Sequence, residues 1–71
     1  MRPVGFFDSG LGGASVLREA LHLLPNENYL YYGDDANAPY GDRSYTDIAF
    51  LTEKSVSAMA DFGIKAAVIA C

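Results

Sequence analysis

The chain is poor in cysteine, in basic residues and in long apolar runs, and each shortage excludes a class of protein. Its one cysteine, Cys71, cannot form an internal disulfide, so we expect a reducing compartment such as the cytoplasm. Only five of its 71 residues are Lys or Arg, and they are scattered. With a formal net charge of -4, this argues against nucleic acid as a partner. No apolar run approaches the ~20 residues of a membrane span, so no membrane partner is expected.

What the chain does contain is the composition of one small globular unit. Hydrophobic residues make up 51% of it and charged residues 20%, which argues against disorder. A chain of this length buries only about 60% of its unfolded surface, so its core is expected to be marginal. We therefore treat residues 1–71 as at most one small domain.

Strand-like and helix-like segments alternate along the chain. The predicted strands, which are short and apolar, are Val4–Phe7, Asn28–Tyr32 and residues 66–70. A first helix is predicted over residues 14–24, because its apolar residues recur on one helical face. That stripe consists of Val16, Leu17, Ala20, Leu21 and Leu24.

A second helix is predicted between the second and third strands. Ser44 followed by Asp47 is typical of a capping box at a helix start, and Gly63 suits the residue just after the helix end. A polar loop over residues 33–43 precedes this helix. The residues at helical spacing are Ile48, Leu51, Ser55, Met59 and Phe62.

This alternation predicts an α/β fold of the β-α-β-α-β type, with a parallel three-stranded sheet in the order 2-1-3 and one helix on each face. In that order the chain reverses direction between strands 1 and 3, which opens a crevice at their C-terminal ends. Asp8 and Ser9 leave the first strand at this edge, the 33–43 loop leaves the second, and Cys71 ends the third. No helix follows the last strand, so part of the sheet is expected to be uncovered.

The turn Asp8-Ser9-Gly10-Leu11-Gly12-Gly13 has the layout of an anion cradle between a strand and a helix. However, Ser15 occupies the third glycine position of the dinucleotide motif, and no Gly-Lys-Ser/Thr follows, so nucleotide binding is not favoured. An aspartate before the turn repels phosphate, and a ligand ammonium group fits better. The structural alternative is that Asp8 or Ser9 caps the helix.

Two further features are candidates for chemistry. In the segment Ala38-Pro39-Tyr40-Gly41, Pro39 fixes its φ and Gly41 permits an unusual one, so Tyr40 is held in a defined place. This segment either lines a site or is an ordinary turn. Cys71 ends an apolar strand, where a lone thiol is either inert packing or a nucleophile.

Taken together, these segments resemble the N-terminal part of bacterial glutamate racemases. The matching segments, in the same order and spacing, are residues 4–13, Val16–Glu19, Leu23–Glu27, Tyr32–Asp34, Ala38–Ser44 and Val68–Cys71. The resemblance runs the length of the chain, and although each segment alone is weak, their combination is specific.

The resemblance implies the first part of a flavodoxin-like racemase domain, in a protein of two pseudosymmetric domains with the active site between them. It implies interconversion of L- and D-glutamate without a cofactor, which supplies D-glutamate for peptidoglycan and so for the cell wall and cell shape. In this family one cysteine thiolate removes the α-proton, and a second thiol returns a proton from the opposite face. Cys71 matches the first of these cysteines.

The resemblance also implies which other residues form the site. Asp8 and Ser9 match residues that contact the substrate and assist the thiol, and Pro39, Tyr40 and Gly41 match the loop that binds substrate. No arginine is expected at the crevice, so backbone N–H groups and hydroxyls must hold the substrate carboxylates. No metal site is predicted.

Several parts of the family pattern lie outside these 71 residues: the Asn-Thr segment after the first cysteine, the second cysteine and its neighbouring histidine. In addition, Asp35 stands where many relatives have Thr. We therefore expect residues 1–71 to be a partial N-terminal domain that is inactive alone. The alternatives are an aspartate or hydantoin racemase, a decarboxylase with a single cysteine, and a flavodoxin-like binding module without chemistry. The oligomeric state of the parent protein is open, a homodimer among the options.

Overall fold

Strands and helices alternate in the structure, a computed structural model that describes residues 2–10 and 12–70. The described elements are β1 (Val4–Asp8), α1 (Gly13–Leu23), β2 (Tyr29–Gly33), a 3-10 helix (Asp35–Asn37), α2 (Tyr45–Ala60) and β3 (Ala66–Ile69). The strands form one sheet in the order β2-β1-β3, with β1 parallel to both neighbours. The predicted α/β fold and strand order are confirmed.

The central strand β1 sets the register of the whole sheet. Val4 lies opposite Tyr29 on β2 and Ala66 on β3, and Asp8 lies opposite Gly33. Because all three strands run in the same direction, their C-terminal ends meet at one edge, from which the polar turns leave.

Helix α1 covers one face of the sheet. The Tyr29 hydroxyl donates hydrogen bonds to the carbonyl oxygens of Ala20 (3.1 Å) and Leu24 (2.7 Å), at the C-terminal end of α1. The Tyr29 ring meets that of Phe6 edge to face, with 5.8 Å between their centroids. The Tyr29 hydroxyl thus fastens the C-terminal end of α1 to β2, and the ring contact joins β2 to β1 on the same face.

The hydrophobic core lies on the opposite face, between the sheet and α2. Phe7 and Met59 are fully buried, and Tyr40 and Leu51 complete the buried cluster. Gly5 allows the helix to approach closely, since a Cβ at this position would lie 2.9 Å from the sulfur of Met59. The two helices therefore pack on opposite faces of β1, as the sequence predicts.

Helix α2 begins where the sequence predicts but ends earlier. The Ser44 hydroxyl oxygen accepts the Asp47 N–H at 3.2 Å, which is the predicted N-cap. The last helical residue is Ala60, and Gly63 follows after a tight turn with φ of +76°. The predictions that Gly63 directly follows the helix and that Phe62 lies on it are wrong. The N–H groups of Phe62 and Gly63 donate to the carbonyl oxygens of Met59 and Ala60, three residues back, so the chain forms a tight turn here and not a further α-helical turn.

The other boundaries differ from the predictions by one residue. Helix α1 covers Gly13–Leu23 instead of residues 14–24, and β2 covers Tyr29–Gly33 instead of Asn28–Tyr32. Gly33 belongs to the strand because it pairs with Asp8, and only the residues after it form the loop.

A large share of the apolar surface is exposed. Val16, Leu21 and Leu24, from the predicted stripe of α1, are 43–57% exposed, and Ile69 on β3 is 48% exposed. The uncovered surface of β3 agrees with the expectation from sequence. None of the helices in the described residues is long and apolar enough to cross a membrane.

Candidate active site

Two loops form a cleft at the C-terminal edge of the sheet. The cleft has a volume of about 420 Å³ and is lined by Ser9, Gly10, Pro39, Tyr40, Gly41 and Ile48. Four of the five residues predicted to bind substrate therefore lie around one opening, although they come from two segments 30 residues apart. The fifth, Asp8, is not among the lining residues, while Gly10 and Ile48 line the cleft without having been predicted.

Asp8, the last residue of β1, is 1% exposed, and its carboxylate accepts hydrogen bonds from three groups among the described residues. Oδ1 accepts the N–H of Gly10 at 2.9 Å, and Oδ2 accepts the N–H of Gly13 at 2.9 Å together with the Tyr31 hydroxyl. Burial opposes ionisation, but the bonds from Tyr31, Gly10 and Gly13 outweigh it and hold the pKa of Asp8 below its ordinary value. The carboxylate is therefore ionised and fixed in orientation.

The same carboxylate caps α1. Gly13 is the first helical residue, and its N–H has no carbonyl partner within the helix. The Asp8 side chain supplies that partner from five residues earlier. A Cβ at Gly13 would lie 2.6 Å from the Asp8 carboxyl carbon, so a residue without a side chain is needed there. The capping role that the sequence offered as the structural alternative for Asp8 is present in the structure.

Tyr40 lines the cleft while its hydroxyl donates to the Asp34 carboxylate. Tyr40 is 6% exposed, and its ring packs 6.1 Å from that of Phe7, centroid to centroid. The Asn37 side-chain amide donates to both Asp34 oxygens, at 3.0 and 3.2 Å. The bond from Tyr40 is the main reason that the pKa of Asp34 lies below its usual range, with burial acting against it. Asp34 thus holds Tyr40 in place.

Further bonds brace the 33–43 loop. Arg43 Nε donates to the carbonyl oxygen of Asn37 at 3.0 Å, and the Arg43 N–H donates to that of Tyr40 at 3.0 Å. The loop contains a cis peptide bond between Ala38 and Pro39. The cleft wall is therefore a braced segment and not an isolated turn.

The predicted catalytic thiol, Cys71, lies outside the described residues. Ala70, which precedes it in the sequence, donates its N–H to the carbonyl oxygen of Phe7 at 2.8 Å. The pairing of the last strand therefore continues along β1 to the residue before Asp8. Within residues 2–10 and 12–70, no group of three or more His, Cys, Asp or Glu side chains is arranged to hold a metal ion.

Sequence reasoning missed two residues at this edge, Tyr31 and Asp34. Tyr31 falls within the predicted second strand and Asp34 within the polar loop that follows it, and neither position by itself points to the site. The alternation of side chains along a strand could have indicated Tyr31, because Tyr31 lies two residues before Gly33 and residues two apart on a strand share a face. Using it requires the register that places Gly33 opposite Asp8, and the sequence alone does not provide that register.

Comparison with known proteins shows a match along almost the whole chain. This chain is 51% identical over 70 residues to a glutamate racemase of Clostridium botulinum (strain Alaska E43), and the aligned region covers 99% of this chain and 27% of that relative. It is 55% identical over 69 residues to a glutamate racemase of Clostridium perfringens (strain SM101), covering 97% of this chain and 26% of that relative. No protein-family model matches.

A solved structure shows the same similarity in three dimensions. The crystal structure of glutamate racemase from Francisella tularensis in complex with D-glutamate superposes with a TM-score of 0.93 at 40% identity. The match covers 99% of this chain and 26% of the crystallised one. The chain thus spans about a quarter of the length of the curated relatives and of the solved structure.

Proposed function

We propose that this chain, which belongs to the glutamate racemase family by sequence and by fold, carries part of an active site that interconverts L- and D-glutamate. The main support from the structure is the cleft that Ser9, Pro39, Tyr40 and Gly41 line together. Its volume, about 420 Å³, falls in the range of small-molecule sites. The relative from Francisella tularensis was crystallised with D-glutamate, which is the ligand class that we propose here.

In this proposal the cleft holds the amino acid by complementary charge. Because the described residues that line the cleft include no Lys or Arg, backbone N–H groups and the Ser9 hydroxyl bind the substrate carboxylates. The ionised Asp8 next to Ser9 attracts the substrate ammonium group and assists the thiol. Pro39, Tyr40 and Gly41 form the opposite wall.

The proposed chemistry is a two-cysteine proton transfer. The Cys71 thiolate removes the proton from the α-carbon, whose C–H electron pair remains as a carbanion. A second thiol, from outside these 71 residues, gives its proton to the opposite face and becomes a thiolate. No cofactor takes part in this scheme. The product D-glutamate would serve peptidoglycan synthesis in the cytoplasm, and residues 1–71 would form part of the first of two domains.

The test uses the purified full-length protein and L-glutamate in deuterated water. We expect D-glutamate to form and deuterium to appear at the α-carbon, with L-aspartate converted far more slowly. Cys71→Ser is expected to abolish exchange in at least one direction. The proposal is wrong if the wild-type protein forms no D-glutamate, and the role of Cys71 is wrong if Cys71→Ser keeps both rates. Faster turnover of aspartate, or release of carbon dioxide, would favour the related racemase or decarboxylase.

A further inference from the structure

Tyr31 reaches the Asp8 carboxylate diagonally across two parallel strands. Tyr31 lies opposite Phe6, and Asp8 lies opposite Gly33, so Tyr31 and Asp8 are on the same face of the sheet. A Cβ at Gly33 would lie 3.4 Å from Cε1 of the Tyr31 ring, an ordinary van der Waals distance, so the ring lies directly beside Gly33. The ring therefore extends past Gly33, and its hydroxyl donates to Asp8 Oδ2.

Among the described residues that donate to the Asp8 carboxylate, Tyr31 is the one on a different strand. Gly10 and Gly13 belong to the segment that directly follows Asp8, so their N–H groups move with it. The Tyr31 hydroxyl instead anchors the carboxylate to β2. The interaction is reciprocal, because the hydrogen bond to Asp8 is the main factor that raises the pKa of Tyr31 to about 12. The hydroxyl consequently keeps its proton, and stays a donor, to higher pH than an ordinary tyrosine.

The position of Asp8 in turn determines the backbone at the cleft. Its Oδ1 accepts the N–H of Gly10, and Gly10 and Ser9 form one wall of the opening. If the carboxylate rotated, this bond would be lost and the wall would no longer be fixed. A change at Tyr31 is thereby transmitted to the cleft without Tyr31 lining it.

We propose that Tyr31 is a positioning residue of this site, whose hydroxyl keeps the Asp8 carboxylate oriented and thereby holds the Ser9-Gly10 wall in place. Its consequence for catalysis rests on the proposed racemase function. The coupling between Tyr31 and Asp8 does not depend on that function, and it can be measured without any enzymatic activity.

The experiment compares the full-length wild-type protein with Tyr31→Phe and with Tyr29→Phe. Tyr29 is a matched control, because it lies two residues earlier on the same face of β2 and its hydroxyl bonds to α1 instead of Asp8. For each protein, NMR follows the titration of the Asp8 carboxyl carbon, and kinetics give kcat and KM against pH. Glutamate racemisation by the wild-type protein is measured first.

In Tyr31→Phe we expect the Asp8 carboxyl to titrate at higher pH, and the acidic limb of the kcat profile to move in the same direction. We also expect kcat to fall by about 10- to 100-fold, with KM changed less. Tyr29→Phe should leave the Asp8 titration and the limb unchanged. An unchanged Asp8 titration in Tyr31→Phe, or an equal shift in both variants, would overturn the proposal. An unchanged limb with racemase activity present would also overturn it.

Failure of the Tyr31–Asp8 coupling can be distinguished from failure of the proposed racemase function. If the wild-type protein does not racemise glutamate, the proposed function fails, and the carboxyl titration alone still decides the coupling. If Tyr31→Phe does not fold, the wild-type protein is titrated upward in pH instead. A Tyr31 hydroxyl that is still protonated where an unperturbed tyrosine has ionised, above about pH 10, supports the proposal, and ordinary ionisation contradicts it.

Discussion

The backbone N–H of Asp34 donates a hydrogen bond of 3.0 Å to the carbonyl oxygen of Asp8. This bond joins the two segments that form the cleft, directly at the ends of β1 and β2. The two aspartates are also alike in their side chains, since each accepts a tyrosine hydroxyl, from Tyr31 for Asp8 and from Tyr40 for Asp34. The edge of the sheet is therefore organised by two Asp–Tyr pairs.

The first prediction concerns stability against pH. The pKa values of Asp8 and Asp34 are lower in the folded protein than the unfolded value of about 3.9. Below that value the unfolded chain binds more protons, so both carboxylates contribute stability above it, and this stability is lost as the pH falls through the folded pKa values. We expect the free energy of unfolding in urea to drop steeply below about pH 4.

Asp8→Asn provides the comparison for this prediction. It removes one of the two carboxylates whose pKa is lowered, so the dependence of stability on pH should be flatter than in the wild-type protein. It should also lower stability at neutral pH by about 1.5–3 kcal/mol, because the bonds to a charged acceptor are lost. Parallel curves for the two proteins would show that Asp8 does not titrate as described.

The second prediction concerns Gly13. Alanine in place of glycine within a helix ordinarily stabilises by about 0.5–1 kcal/mol. At Gly13 the added Cβ would lie 2.6 Å from the Asp8 carboxyl carbon and 2.7 Å from its Cβ, which β1 holds in place. We therefore expect Gly13→Ala to destabilise by about 1–3 kcal/mol in urea unfolding.

Gly12→Ala is the matched control, because a Cβ there meets nothing within 4 Å. The backbone at Gly12, with φ of -83°, suits alanine. A Gly13→Ala variant as stable as Gly12→Ala would mean that Asp8 does not occupy the space next to the start of α1.

The fold could be predicted because its signals are local. Short stretches of sequence contain the apolar runs, the Ser44–Asp47 capping box and the alternation of strands and helices. The crossover connections between parallel strands are right-handed, which limits the possible topologies. The end of α2 was misjudged because Phe62 continues the apolar spacing beyond Ala60, while the chain turns at that point. Spacing shows which side of a helix is apolar, but not where its last hydrogen bond lies.

The candidate site was predictable in part, for a related reason. Ser9, Pro39, Tyr40 and Gly41 were named from turn chemistry and resemblance, and the structure brings them around one cleft. The roles of Tyr31 and Asp34 depend on which side chains meet across strands and loops, which the sequence does not specify. Likewise, the apolar stripe of α1 was visible in the sequence, but the sequence does not show what covers it.

The third prediction concerns the hydroxyl of Tyr40. Tyr40→Phe keeps the ring packed against Phe7 and removes the donor to Asp34. We expect a loss of about 1.5–3 kcal/mol in the free energy of unfolding, because the acceptor is charged, and an upward shift of the pKa of Asp34. Since this loop lines the cleft, the KM for glutamate should rise if the proposed function holds.

Tyr45→Phe is the control for that measurement. Tyr45 is 87% exposed at the start of α2, so removing its hydroxyl should leave the stability and the KM unchanged. Equal effects of the two substitutions would show that the Tyr40 hydroxyl does not hold the loop.

The last prediction concerns the 71-residue chain produced alone. Large apolar side chains are exposed on both α-helices, on the turn after α2 and on β3, among them Leu23, Phe50, Phe62 and Ile69. Exposed patches of this kind bind other apolar surfaces, and the uncovered strand β3 offers an edge for pairing. We expect the isolated chain to bind a hydrophobic dye, to self-associate as its concentration rises, and to form no D-glutamate. Sedimentation and dye fluorescence measure the first two, and chiral chromatography the third. A monomer that does not bind the dye would contradict the exposed surface, and D-glutamate from a preparation free of host enzyme would contradict the need for a second thiol.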